Sequence, residues 1–295
     1  MATITNLNDD IIAQVALSQF TQRLAPLGAF STSYSADAAR RGDRVSIPLV
    51  SAITATTTAT VNYGAGGGTL TAAEAVIDQH VISTVSLTDT QVANSSAANF
   101  ETFARQQAGA VAAKVMQTLF LNVLATTAAS SYGAATVTTA AANFDFDQLV
   151  DMGKALDDNE APAEGRVAVL NPAAYTALVK DLKNNFNIGQ DPVRSGVLSD
   201  VAGFTVYRTT AIGSAGISNL YAIAGVPDSI AVAVRILQPQ AANEYLATRV
   251  VTDESGLSLG YRRFYAPDSG THNIAFECLF GVTRGVTKGL VYAAS

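Results

Sequence analysis

The chain has 295 residues, of which 48% are hydrophobic and only 14% charged, and its formal net charge is −6. That length allows one large domain or two moderate ones with a sizeable core. The acidity argues against a dedicated nucleic-acid reader, because the one basic cluster is the short run Ala39-Arg40-Arg41-Gly42-Asp43-Arg44. A single cysteine, Cys278, rules out an intrachain disulfide framework. Two histidines, His80 and His272, are too few for a histidine-rich metal site. The opening MATITNLNDD has acidic residues and no apolar stretch where a signal peptide has basic and apolar ones. No apolar run reaches the ~18 residues of a membrane helix. The chain is expected to stay in the cytosol where it is made, with no membrane partner. A charged fraction well under the soluble norm of roughly 25% suits a subunit that hides its faces in an assembly.

Residues 8–25 predict a short amphipathic helix. Asn8 caps it, Asp9 and Asp10 suit its positive end, and Ile11, Ile12, Val15, Ala16, Phe20 and Leu24 recur at helical spacing. Pro26 and Gly28 end it. Such an arm packs on a neighbour or on its own domain, and the sequence leaves both open. Arg41-Gly42-Asp43 is read as a turn before a strand rather than as an adhesion motif. Val45, Ile47 and Leu49 then share one parity, as a strand requires. The threonine-rich TATTTATVNY continues it, and the glycine run GAGGG follows. Ile77, Val81, Val85 and Leu87 mark a return strand over 76–88. Residues 45–88 thus read as one long β excursion, with no lysine or arginine from Val45 to Ala104.

Ser95 and Ser96 open the strongest helix pattern. Phe103, Val111, Val115, Leu119 and Val123 are read as its buried stripe, widened by Met116, Phe120 and Leu124. Thirty residues of helix would span roughly 45 Å. A compact α/β block follows: a helix with the capping box Asp145/Gln148, the buried strand GRVAVL, and a helix capped by Asn171 with Pro172 at its first position. Further on, Phe204–Arg208 and Asn219–Val226 read as strands, while PDSIAVAVRI fits a strand or a helix. NEYLATRVVTDESGLSLGYRRFY reads as two strands about a turn. THNIAFECLFGV and GVTKGLVYAA close the chain as strands.

Chemistry-bearing patterns are few. A phosphate loop needs a Lys-Ser/Thr after its glycines, between a strand and a helix. GAGGG is followed by Thr69-Leu70 and flanked by strands, so it reads as a hairpin tip. Cys278 sits among large apolar residues on the inward parity and reads as core, with His272 six residues along the same face and too far to act as its base. Asp157, Asp158 and Glu160 lack the spacing of a cation loop and read as a solvated helix end. No His-Glu-x-x-His pair occurs. No catalytic, cofactor-binding or metal residue is expected, and the chain is not expected to be an enzyme.

The order of elements resembles the major capsid protein of tailed bacteriophages, the Hong Kong ninety-seven fold. An arm, a β excursion, one long helix, a compact α/β block and a late Gly/Phe-rich strand follow one another. The strings GDRVSIPLV, GRVAVLNPAAYTALVKD, DVAGFTVYRT, VVTDESGLSLGYRRFY and FECLFGVTRG carry the likeness. It covers nearly the whole chain, through patterns of apolar residues and turns rather than single side chains. The resemblance implies an α+β fold with an N-terminal arm (1–44), an E-loop hairpin (45–90), a P-domain (91–182) holding the spine helix at about 95–128, an A-domain (183–260) and C-terminal strands (261–295) returning to the P-domain. It implies self-assembly through hexamers and pentamers into an icosahedral head around non-specifically held double-stranded DNA. The location implied is the virion, assembled in the host cytoplasm.

Some members of that family begin with a scaffold segment of about 100 residues. None precedes this arm, so a separate scaffolding protein and a portal are the implied partners. Lysines occur only at Lys114, Lys154, Lys180, Lys183 and Lys288, so the E-loop isopeptide cross-link of some members is expected to be absent. The residues expected at subunit contacts are Tyr63, Gly64, Gly66, Gly67 and Gly68 at the loop tip, with Ile11 and Phe20 on the arm. The alternatives are an encapsulin-type compartment shell, another phage structural protein of tail or decoration type, and an enzyme built on residues 144–182.

Overall fold

The structure is a computed structural model that describes residues 9–28, 30, 44–50, 70–94, 97–124, 135–185, 198, 200–213, 219–227, 229–235, 247–252, 258–285 and 289–294. Its helices are α1 (Asp9–Gly28), α2 (Asp89–Ala93), α3 (Ala97–Leu124), α4 (Phe146–Asp158) and α5 (Pro172–Asn185). Its strands are β1 (Arg44–Val50), β2 (Leu70–Val76), β3 (Gln79–Thr88), β4 (Val167–Leu170), β5 (Thr205–Arg208), β6 (Leu220–Gly225), β7 (Ile230–Arg235), β8 (Ala247–Thr252), β9 (Ser258–Ala266), β10 (Thr271–Arg284) and β11 (Leu290–Ala294).

These strands form three sheets. β1 and β2 make a two-stranded hairpin. A five-stranded antiparallel sheet runs β3-β10-β9-β8, with β7 also paired to β10. A four-stranded sheet runs β11-β6-β4-β5, and there only β4 and β5 are parallel.

β10 is the hub. It pairs with β3 along Thr271–Phe280 on one side, and with β9 and then β7 on the other. Alternating side chains of a strand face opposite sides of its sheet. On one side Ile274, Phe276, Cys278 and Phe280 enter a core shared with α1 and α3. There the rings of Tyr261 and Phe276 lie 5.2 Å apart. Gln107 on α3 is buried, and its amide donates to the Ser83 carbonyl at 3.1 Å and the Ile274 carbonyl at 3.0 Å. One side chain so ties the long helix to two strands.

The arm folds back on its own chain. Ile12, Ala16, Phe20, Leu24 and Leu27 are buried against α3. Its first turn is held to the sheet, where Asp9 accepts from the Tyr261 hydroxyl at 2.7 Å and from Arg263 at 2.9 Å. Arg249 pairs with Asp10. Phe20 is therefore core of the chain itself and offers no surface to a neighbour, which corrects its place among the expected contacts. On α3, Phe103 is 36% exposed, whereas Phe100, Ala104, Ala108, Val111, Ala112, Val115 and Leu119 are buried. A step of four residues overshoots the 3.6-residue turn, so a stripe drawn at that spacing rotates off the packed face.

The excursion also closes earlier than its pattern suggests. β1 pairs with β2 from Arg44↔Val76 to Val50↔Leu70. The stretch 79–88 pairs with β10 instead and belongs to the body. The polypeptide between Val50 and Leu70, with its glycine run, lies outside the described residues.

The compact block is confirmed locally and extended globally. Asp145 and Gln148 form the reciprocal cap on α4, at 3.2 and 2.7 Å, and the Asn171 side chain accepts from Ala174 at 2.8 Å to cap α5. Leu149, Met152 and Leu156 of α4 join Leu178 and Leu182 of α5 in one buried cluster with Ala168, Leu170, Val206, Ala222 and Val291. That cluster joins β4 to β5, β6 and β11, so the boundary placed at residue 182 runs through one packed unit. The C-terminal stretch is divided likewise: β10 belongs to the large sheet and β11 to the small one.

Asp145→Ala removes the α4 cap and is expected to cost about 1 kcal/mol. Chemical denaturation checks this, with an unchanged midpoint as the contrary result.

Candidate assembly interface

Ionisable groups that come together do so as structural clamps. Glu277 on β10 is buried; it accepts His80 at 3.0 Å and pairs with Arg262. Asp89, His272 and Tyr265 form a second group, with Asp89 to His272 at 3.3 Å and the Tyr265 hydroxyl donating to Asp89 at 3.1 Å. That group ties the short α2 to the β9–β10 turn. Arg166 is buried behind α4, donating to the carbonyls of Pro162 and Ala161 at 2.9 Å and to Asp157 at 2.6 Å. Asp157, read as solvated, thus anchors a guanidinium that satisfies main-chain carbonyls just beyond the helix end. Among the described residues no group of three or more His, Cys, Asp or Glu could hold a metal ion. No described helix is long and apolar enough to cross a membrane.

Cys278 is buried on β10, opposite Val81 of β3. Burial, with the neighbouring Glu277 charge, pushes its thiol up to about 12. Among the described residues both histidines are paired elsewhere, His272 with Asp89 and His80 with Glu277.

The exposed apolar side chains are spread over several elements. Among the described residues they are Ile11 on α1 (47% exposed), Ile82 on β3 (54%), Phe103 on α3, Val150 on α4, Val250 on β8 and Tyr265 on β9. Ile11 is thus on the surface although the arm pattern groups it with the buried Ile12 and Phe20. Tyr63, Gly64, Gly66, Gly67 and Gly68 lie outside the described residues. The sequence reading missed Ile82 and Val250, although alternation in β3 and β8 marks which face each occupies. Among the described residues β3 is also an edge strand, with no lysine or proline on it to discourage pairing.

No protein-family model matches the chain, and no curated protein matches it. Solved structures do. The capsid structure of the cyanophage P-SCSP1u superposes with a TM-score of 0.59 at 14% identity, covering 91% of this chain and 87% of that one. A structure of Mycobacterium phage Che8 gives 0.55 at 19% identity over 85% and 84%. A virus-like particle from Pyrococcus furiosus gives 0.54 at 12% identity over 96% and 98%. The chain has the phage-capsid fold. At these identities the likeness establishes architecture, over most of the chain.

With its thiol held protonated, Cys278 is expected to resist alkylation at pH 8 in the native protein and to react fully once unfolded. Thiol titration with and without denaturant checks this, and rapid modification of the native chain contradicts it.

Proposed function

We propose that this chain is the major shell subunit of a tailed-phage head. Copies assemble through hexamers and pentamers into an icosahedral capsid around double-stranded DNA. The observation that carries the reading is the superposition on a phage capsid structure along nearly the full length of both chains. Composition supports it: with 14% charged residues, much of the surface suits burial in interfaces. So does the scatter of Ile11, Ile82, Phe103, Val150 and Val250 over different elements. A closed ring joins its members head to tail, so each subunit presents two unlike faces rather than one self-complementary patch.

The hairpin is the element best shaped to reach a neighbour, since among the described residues its strands pair only with each other and its root alone rests on the large sheet. A net charge of −6 gives DNA little to bind, so the wall holds the genome without impeding its entry. A separate scaffolding protein and a portal complete the proposed set of partners. The site of action is the virion, assembled in the host cytoplasm. The subunit does no chemistry, and its clamps serve to hold the fold.

Electron microscopy of the purified chain, expressed with its genomic neighbours, is expected to show closed shells tens of nanometres across. A monodisperse monomer with no larger species under any assembly condition would overturn the proposal.

A further inference from the structure

On the β2 side the hairpin joins the body through a short step. β2 ends at Val76, Ile77 and Asp78 lie between strands, and β3 begins at Gln79. Where the chain makes this step it rests on Gly281 of β10. A Cβ at Gly281 would stand 2.6 Å from the Val76 carbonyl carbon and 2.9 Å from the Ile77 nitrogen, with the Val76 carbonyl oxygen nearer still. No side chain fits there, and the obstructing atoms are backbone, which cannot swing aside. A glycine in the middle of a 14-residue strand otherwise weakens it, so its presence here answers to the close approach.

The rest of the crossing is small as well. Gly281 pairs with Ala233 of β7, and Thr283 pairs with Ala231. Paired residues share a face of the sheet. The sequence IAVAVR therefore sends Ile230, Val232 and Val234 into the main core and lays two alanines beside Gly281 on the opposite face. Ala231, Ala233, Ala75 and Ile77 are all fully buried, and β2 packs against both β10 and β7.

We infer that Gly281 and Ala233 form a seat that sets the direction in which the hairpin projects, and so the angle at which a second copy of the chain is met. The second half of that statement rests on the shell-subunit reading. The lever is favourable. A lift of about 1 Å across a three-residue seat, roughly 7 Å long, becomes about 3 Å at the far end of a seven-residue strand.

The test is a distance measurement. Nitroxide labels at Thr71→Cys and Asp151→Cys report hairpin against body by pulsed electron paramagnetic resonance, with labelled chain diluted into unlabelled chain. Cys278 is buried and protonated and takes no label. Gly281→Ala is expected to keep the circular dichroism of the parent, shift the mean distance by about 3 Å or more, and lower the yield of regular shells at least tenfold. An unchanged distance distribution overturns the inference. Should Gly281→Ala alone fail to fold, the same substitution with two glycines inserted between Ile77 and Asp78 decides. Recovery of the fold places the clash at the hairpin root, and continued unfolding overturns the inference. A parent chain that never forms shells removes the capsid reading and leaves the distance result to stand by itself.

Discussion

The architecture depends on β10 being buried on both faces while paired along both edges. Asn273, Ala275, Glu277 and Leu279 are as hidden as Ile274, Phe276, Cys278 and Phe280. A strand in that position has no freedom to slip, because a one-residue shift would bring Glu277 into the apolar core and turn Phe276 out of it. Everything else takes its place from this strand. α3 packs on one face through Phe276 and the Gln107 bridge. α1 lies on α3 and is pinned at Asp9 by Tyr261 and Arg263 of the adjoining β9. The hairpin root crosses the other face at Gly281. On the proposed reading, a rigid body with a projecting hairpin suits a shell subunit, whose body would keep its shape while the projection met neighbours at differing angles.

Local signals in the sequence were faithful where the physics is local. The capping boxes of Asp145/Gln148 and the Asn171-Pro172 start of α5 involve partners three residues apart, and both are present. The element order, and with it the capsid-like architecture, was legible because each long element carries its own period. Pairing was less legible. The alternation Ile77, Val81, Val85, Leu87 says which face of the chain is buried and does not say which strand lies beside it. Nothing like a turn motif separates β2 from β3, so the switch of partner at Ile77–Asp78 leaves no mark. The completion of β4 by β6 and β11, which lie far along the chain, was hidden for the same reason.

The surface was the least legible part. Phe20 and Ile11 belong to the same helix pattern, yet one is core and the other exposed, because the width of the packed stripe depends on how α1 sits on α3. Arg166 and Asp157 looked like ordinary surface charges. The burial of Arg166 beside a largely exposed Asp157 follows from the need to satisfy carbonyls at the end of α4, a demand set by three-dimensional geometry. Gly281 is similar: one glycine among 22 in the sequence, given meaning only by the backbone laid across it.

Hydrogen exchange read by mass spectrometry, before and after assembly, tests the account most directly. Segment 271–284 is expected to exchange among the slowest in both states. The hairpin strands 44–50 and 70–76 are expected to exchange fast in the free chain and to gain protection only in the shell. Equal hairpin protection in both states, or β10 amides exchanging as fast as the hairpin, would contradict a rigid body organised by β10 that assembles through a projecting hairpin.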